Sequence, residues 1–222
     1  MIDGPRIPPA SGGAARSLVI LLHGYGSNGD DLIGLAPYWR DALPDTAFVA
    51  PNAPEICPGA PDGYQWWAIS NLDRAARAAG AARAAPVLNA FIDAELASRG
   101  LTESQLALVG FSQGTMMALH VGPRRPRPLA GIVGYSGMVA DAEGLSGDGA
   151  RTRPPILLIH GDADPMIPSV AFHQSREALV RHGFDVETHL SPGLGHSIDM
   201  AGLQLGGAFL VRVLGHARAG PA

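Results

Sequence analysis

Leu106-Ala107-Leu108-Val109-Gly110-Phe111-Ser112-Gln113-Gly114 is an apolar, strand-forming run that ends abruptly in a serine bracketed by glycines. Thr115-Met116-Met117-Ala118-Leu119-His120 follows it with helix-forming character and helical apolar spacing. A strand that turns into a helix within so few residues brings backbone against backbone, and a side chain at Gly110 or Gly114 would collide there. The turn therefore presents Ser112 on a sharp, strained elbow with its Oγ pointing out of the sheet. Free N–H groups and the positive dipole end of the next helix lie beside it. In a chain with 29 glycines the G-x-S-x-G pattern carries limited weight alone. The strand before it and the helix after it make Ser112 a candidate nucleophile rather than a serine that merely caps a helix.

Toward the N-terminus, Ser17-Leu18-Val19-Ile20-Leu21-Leu22 is continuously apolar after its serine, the mark of a strand buried on both faces. It runs into His23-Gly24-Tyr25-Gly26-Ser27-Asn28-Gly29-Asp30-Asp31, a loop placed to supply a backbone N–H, that of Tyr25, to a developing oxyanion. Asp30 or Asp31 is expected to cap the next helix, and His23 to be a buried, hydrogen-bonded loop residue. Leu32 to Leu43 has helical spacing broken by Pro37, and Ala47 to Ala50 is a short strand. The Pro- and Gly-rich stretch from Pro51 to Gly63 reads as a long loop that delivers Tyr64, Trp66 and Trp67. Trp66 and Trp67 are candidate substrate-binding residues, with anchoring of the loop to the core as the alternative. Asp73 to Arg99 reads as a long helix or a helix pair interrupted near Gly80 and Pro86.

Toward the C-terminus, Leu129 to Tyr135 is a strand and Ser136 a turn residue. Asp141 to Arg153 looks like a flexible surface loop. Pro155 to His160 is a strand that enters Gly161-Asp162-Ala163-Asp164-Pro165-Met166-Ile167-Pro168. A helix from Ser169 to His182, a strand from Val186 to Leu190, a loop through Gly195-His196 and a closing helix complete the alternation. Such alternation predicts an α/β fold with a mostly parallel central sheet and helices on both faces.

A serine nucleophile needs a base within hydrogen-bond reach and an acid to orient that base. After Ser112, an acid-bearing loop and then a His-bearing loop each follow directly on a predicted strand, at its carboxyl end. Of Asp162 and Asp164 one is expected to orient the base and the other to serve the turn; Asp164 is the choice. Among eight histidines, His196 lies in a Gly-rich loop between the last strand and the last helix. His120, His173, His182 and His216 fall on predicted helices, His189 within a strand, and His160 is expected to be buried.

Length and composition fit a single α/β domain over residues 16–222 behind a loose arm at 1–15. A net charge of −4 offers no basic patch for nucleic acid. The single Cys57 cannot form an internal disulfide, and no Cys/His spacing resembles a metal site, so no metal or other cofactor is expected. With no basic leader before an apolar core and no long apolar span, the expectation is a cytoplasmic protein without a membrane anchor.

Leu22-His23-Gly24-Tyr25-Gly26, Pro51-Asn52-Ala53-Pro54, Gly110-Phe111-Ser112-Gln113-Gly114, His160-Gly161-Asp162-Ala163-Asp164-Pro165-Met166-Ile167-Pro168 and Gly195-His196 together resemble the phospholipase/carboxylesterase family of α/β-hydrolases. That family includes bacterial carboxylesterases and acyl-protein thioesterases, and its members often pair as homodimers. The resemblance implies Ser112 as nucleophile, His196 as base, Asp164 as orienting acid and an oxyanion hole from the backbone N–H groups of Tyr25 and Gln113. It implies hydrolysis of a small acyl ester, with acyl thioesters or lysophospholipids as the alternative substrates. Tyr25 stands where the thioesterases commonly carry leucine and Thr115 where they usually carry glycine, departures that lean toward the carboxylesterase branch.

Overall fold

The computed structural model describes residues 2–69, 73–146 and 149–215. Strand β1 (Arg6–Ile7) leads to β2 (Ser17–Leu22), helix α1 (Gly29–Ile33), β3 (Thr46–Val49) and the hairpin of β4 (Glu55–Ile56) and β5 (Tyr64–Gln65). Helix α2 (Arg74–Arg99), β6 (Leu106–Phe111), α3 (Gln113–Val121), β7 (Gly131–Tyr135), β8 (Ile156–Gly161), α4 (Ser169–Arg181), β9 (Val186–Ser191) and α5 (Met200–Gly215) follow. Seven strands form one sheet in the order β1-β3-β2-β6-β7-β8-β9. The pairings from β3 through β9 are parallel, and only β1 runs antiparallel, on the edge.

Because successive side chains of a strand point to opposite faces, the run in β2 feeds two cores. Leu18, Ile20 and Leu22 pack with Leu88 and Phe91 of α2, Met117 and Leu119 of α3 and Phe172 of α4. Val19 and Leu21 pack with Leu32 of α1, Trp39, and Phe209 and Leu210 of α5. Helices thus cover both faces, and a strand with no solvent-facing side has no use for alternating polarity.

Two local expectations are corrected, and of the two readings of 73–99 the single long helix holds. Of the arm expected to be loose at 1–15, the described residues 2–15 are docked: Arg6 and Ile7 pair with Val49 and Phe48, and the Arg6 guanidinium meets Glu95 of α2 at 2.7 Å. Helix α2 is continuous through Gly80 and Pro86. Gly80 is a notch for a neighbour, since a Cβ there would lie 2.4 Å from Trp67 Cγ. Alanine propensity and burial of Ala84, Leu88, Phe91 and Ile92 outweigh the cost of Pro86. In the Asp141–Arg153 segment the described residues are anchored, with Leu145 in the core and Asp141 held by Arg124, and residues 147–148 lie outside the described residues.

Helix α1 is also shorter than expected, with a separate 3-10 turn at Ala36–Tyr38 around Pro37. Its N-cap is Asn28, whose side chain accepts the Asp31 N–H, so neither Asp30 nor Asp31 caps it.

His120 on α3 carries a stability cost in acid. Burial, with Arg124 adding like-charge repulsion and Asp141 opposing it, pushes its imidazole from the ordinary 6.5 down to about 4. The folded protein therefore keeps His120 neutral where the unfolded chain already binds the proton. The expected loss of stability begins as pH falls through 6.5, is complete below 4, and amounts to about 3 kcal/mol from this group. Urea unfolding at stepped pH checks it: His120→Leu should flatten this part of the acid limb.

Candidate functional site

The elbow after β6 forms as the glycines demand. A Cβ on Gly110 would lie 2.4 Å from Thr115 N, and one on Gly114 only 1.8 Å from Leu22 O, so helix and strand meet at backbone contact. Ser112 is forced to φ 55°, ψ −115°, a conformation that residues with a Cβ rarely occupy. Its hydroxyl makes no capping bond to α3, which removes the helix-cap alternative.

Ser112 Oγ lies 3.0 Å from His196 Nε2, and His196 Nδ1 lies 2.7 Å from Asp164 Oδ2. The other oxygen, Oδ1, accepts the N–H groups of Met166 at 2.8 Å and Ile167 at 2.9 Å. Burial of Asp164 works to raise its pKa. The Ile167 N–H, the His196 ring and the Met166 N–H together outweigh burial and hold the carboxyl below its ordinary range. An ionised Asp164 keeps the His196 Nδ1 proton in place and leaves Nε2 facing Ser112 as the acceptor. Phe111 packs its ring 5.0 Å from that of His196. His160 is buried behind the acid, its Nε2 donating to Ile167 O at 2.8 Å, as a structural histidine would.

Asp162, the other aspartate weighed for the acid, accepts the Gly193 N–H at 2.6 Å and so fastens the loop that carries His196. His216 lies outside the described residues. His120 and His173 are helical, His182 is the residue that ends α4, and His189 lies in β9; none of these four lines the Ser112 cavity.

The Gly24-Tyr25 loop lies against the elbow: a Cβ on Gly24 would sit 3.2 Å from Ser112 Cβ and 3.2 Å from Phe111 Cδ1. His23 shapes this loop from beneath. Burial pushes its imidazole pKa down. The neutral ring donates Nδ1–H to Gly24 O at 2.7 Å and accepts the Ala53 N–H at Nε2 at 2.9 Å. Gln113 is the first residue of α3, so its N–H is among those without a partner inside the helix. Its side chain is also engaged: Oε1 accepts the Trp66 N–H and Nε2 donates to Trp67 O, both at 2.9 Å.

The two tryptophans part company. Trp66 is corrected to a loop anchor: it is 1 % exposed, and its indole donates to His23 O at 3.0 Å. Trp67 lines the cavity into which Ser112 opens. That cavity, about 880 Å³, is walled by Leu32, Leu35, Trp67, Ile69, Phe111, Met116, Met138, Met166, Ile167 and Ile198, with Asp31 and Arg77 among its polar residues. Met138, Met166 and Ile198 were not anticipated. Each follows the carboxyl end of a strand, where α/β sheets bind ligands, and that placement was the available signal. Cys57 is buried in the 51–63 loop and does not line the cavity. Among the described residues no group of three or more His, Cys, Asp or Glu side chains is arranged to hold a metal ion, and no helix is long and apolar enough to cross a membrane.

Comparisons with known proteins agree with this fold. Residues 8–213 match the family model described as phospholipase/carboxylesterase. Acyl-protein thioesterase 1 of Schizosaccharomyces pombe is 34% identical over 76% of this chain and 78% of its own length. Esterase YpfH of Escherichia coli K12 is 29% identical over 86% and 80%. Among solved structures, esterase PE8 superposes with a TM-score of 0.91 at 47% identity, covering 96% of this chain and 99% of that one. SOBER1 of Arabidopsis thaliana gives 0.79 at 26% identity, covering 90% and 100%.

Proposed function

The chain belongs to the phospholipase/carboxylesterase family of α/β-hydrolases, and from that premise we propose that it is a serine carboxylesterase acting on short- to medium-chain acyl esters through Ser112, His196 and Asp164. The observation that carries the proposal is the unbroken hydrogen-bond chain from Ser112 Oγ to His196 to Asp164, at an elbow that opens into an apolar cavity. In this reading His196 Nε2 takes the Ser112 proton as Oγ attacks the acyl carbonyl. The N–H groups of Tyr25 and Gln113 receive the oxyanion. The same imidazole protonates the departing alcohol, then activates water to release the acid and restore Ser112.

The cavity wall argues for an acyl chain rather than a charged group. Burying one methylene contributes about 0.8 kcal/mol, so kcat/KM should rise by up to roughly fourfold per methylene until the chain reaches the rim. Met166 at 72 % exposure, with Ile69 and Tyr25 near 40 % (40 % and 41 %), mark that rim. The expected series of p-nitrophenyl esters climbs from acetate, peaks between butyrate and octanoate, and falls by palmitate. A monotonic rise through palmitate would favour long-chain substrates instead.

The similarity to acyl-protein thioesterase 1 supports acyl thioesters as a second reading, since the same three side chains would serve. Turnover of butyryl thioester against p-nitrophenyl butyrate separates them, with the ester expected to be faster. A fluorophosphonate probe should label Ser112; an unlabelled serine would leave a hydrolase fold used only for binding.

A further inference from the structure

We propose that Ser136 is a positioning residue that sets the approach of the His196 imidazole to the Ser112 hydroxyl, an inference that rests on the ester-hydrolase reading above. Ser136 follows β7, the strand between the nucleophile strand β6 and the acid strand β8. It is fully buried and adopts φ 45°. A glycine would take that backbone freely, whereas a residue with a Cβ is strained in it, and such strain persists only where the surroundings enforce it.

The enforcement comes from the elbow. Tyr135 O accepts the Ser112 N–H at 2.9 Å and the Thr115 hydroxyl at 2.8 Å. On the other side, a Cβ at Gly137 would lie 2.4 Å from Thr115 Cβ and 2.8 Å from Ser112 O, so the chain leaving Ser136 is pressed against the same turn. Ser136 is thereby fixed relative to Ser112 through both neighbours.

From that fixed point Ser136 reaches the His196 loop. Its N–H donates to Ile159 O at 2.9 Å, and its Oγ donates to Ser197 O at 3.0 Å. The loop needs this second attachment. Upstream of His196 it is fastened to the acid loop, by Gly193 N–H to Asp162 at 2.6 Å and by Ala163 N–H to Leu194 O at 3.1 Å. Downstream, the Ser197 N–H bonds back to Gly195 O at 2.9 Å, within the loop itself. The Ser136 hydroxyl therefore ties the residue after His196 to the nucleophile side of the site. Ser136 does not line the Ser112 cavity, so it acts through His196 and not on substrate.

Two variants separate the hydroxyl from the strain: Ser136→Ala keeps the Cβ and loses the bond, and Ser136→Gly relieves the backbone as well. Loss of the tie lets the imidazole drift, and a displacement on the order of 1 Å costs about 10²-fold. Both variants should lose roughly ten- to a hundredfold in kcat for p-nitrophenyl butyrate with KM within about twofold. The rate of fluorophosphonate labelling at Ser112 should fall in parallel while its final extent stays complete. Ser136→Gly should unfold no earlier than wild type, which keeps the test valid if Ser136→Ala folds poorly. Wild-type kcat in both variants, or a lowered Tm with unchanged kcat per folded molecule, would overturn the inference. Failure of the wild-type protein to label at Ser112 would instead overturn the hydrolase reading.

Discussion

Ser112→Ala should lower kcat for p-nitrophenyl butyrate by roughly 10⁶-fold while leaving thermal unfolding almost where it was. Both halves follow from what the hydroxyl touches. It meets His196 Nε2 at 3.0 Å and makes no cap bond to α3, so its removal deletes the proposed nucleophile without orphaning a helix donor. The strained φ of 55° is shared by alanine, so the elbow is neither relieved nor further stressed. A stability change within about 0.5 kcal/mol is therefore expected. The remaining rate should still exceed the uncatalysed one by about 10³–10⁴, through the oxyanion donors and substrate binding. Steady-state kinetics with calorimetry on one preparation checks both halves; turnover that persists at the wild-type level would remove Ser112 from the mechanism.

How much of this site could be read beforehand depended on how local its causes are. The strands were legible because Leu18–Leu22 and Ile156–Ile159 are buried on both faces, and that requirement writes itself as an unbroken apolar run. The elbow was legible because Gly110 and Gly114 answer a backbone collision within five residues. Ser112, Asp164 and His196 could be put together because each follows a strand of one parallel sheet, and the carboxyl ends of such strands share an edge.

What escaped the sequence is held by distant partners. Gly80 and Pro86 look like breaks in a helix; the indole of Trp67 lying across Gly80 explains the glycine, and burial of Ala84, Leu88, Phe91 and Ile92 carries the helix past Pro86. Arg6 belongs to a proline-rich arm, and nothing nearby in the chain announces that Glu95 and the edge of β3 will capture it. Trp66 and Trp67 are adjacent and chemically identical, yet one faces His23 O and the other the cavity, with the backbone of both held by the distant Gln113 side chain. Asp162 and Asp164 were separable by resemblance, but the bond from Gly193 that occupies Asp162 arises only when the β9 loop folds back over the β8 loop.

Asp164→Asn should cost about 10⁴-fold in kcat, and the direction of its hydrogen bonds says why an isosteric change is so damaging. In the wild type Oδ1 accepts two backbone N–H groups, those of Met166 and Ile167. An asparagine at this position must keep its carbonyl oxygen toward those donors, because turning the amide would point an NH₂ at two N–H groups in a buried site. The NH₂ is then presented to His196 Nδ1, which can meet it only as an acceptor. The ring proton is driven to Nε2, where it faces Ser112 Oγ, and the base is lost although every heavy atom stays in place. The variant should remain folded, bind substrate with a KM close to wild type, and react with a fluorophosphonate far more slowly. Asp162→Asn supplies the contrast: its oxygen can still accept the Gly193 N–H, so kcat should fall by less than about tenfold. If the two variants lost activity equally, Asp164 would have no special claim to orienting His196.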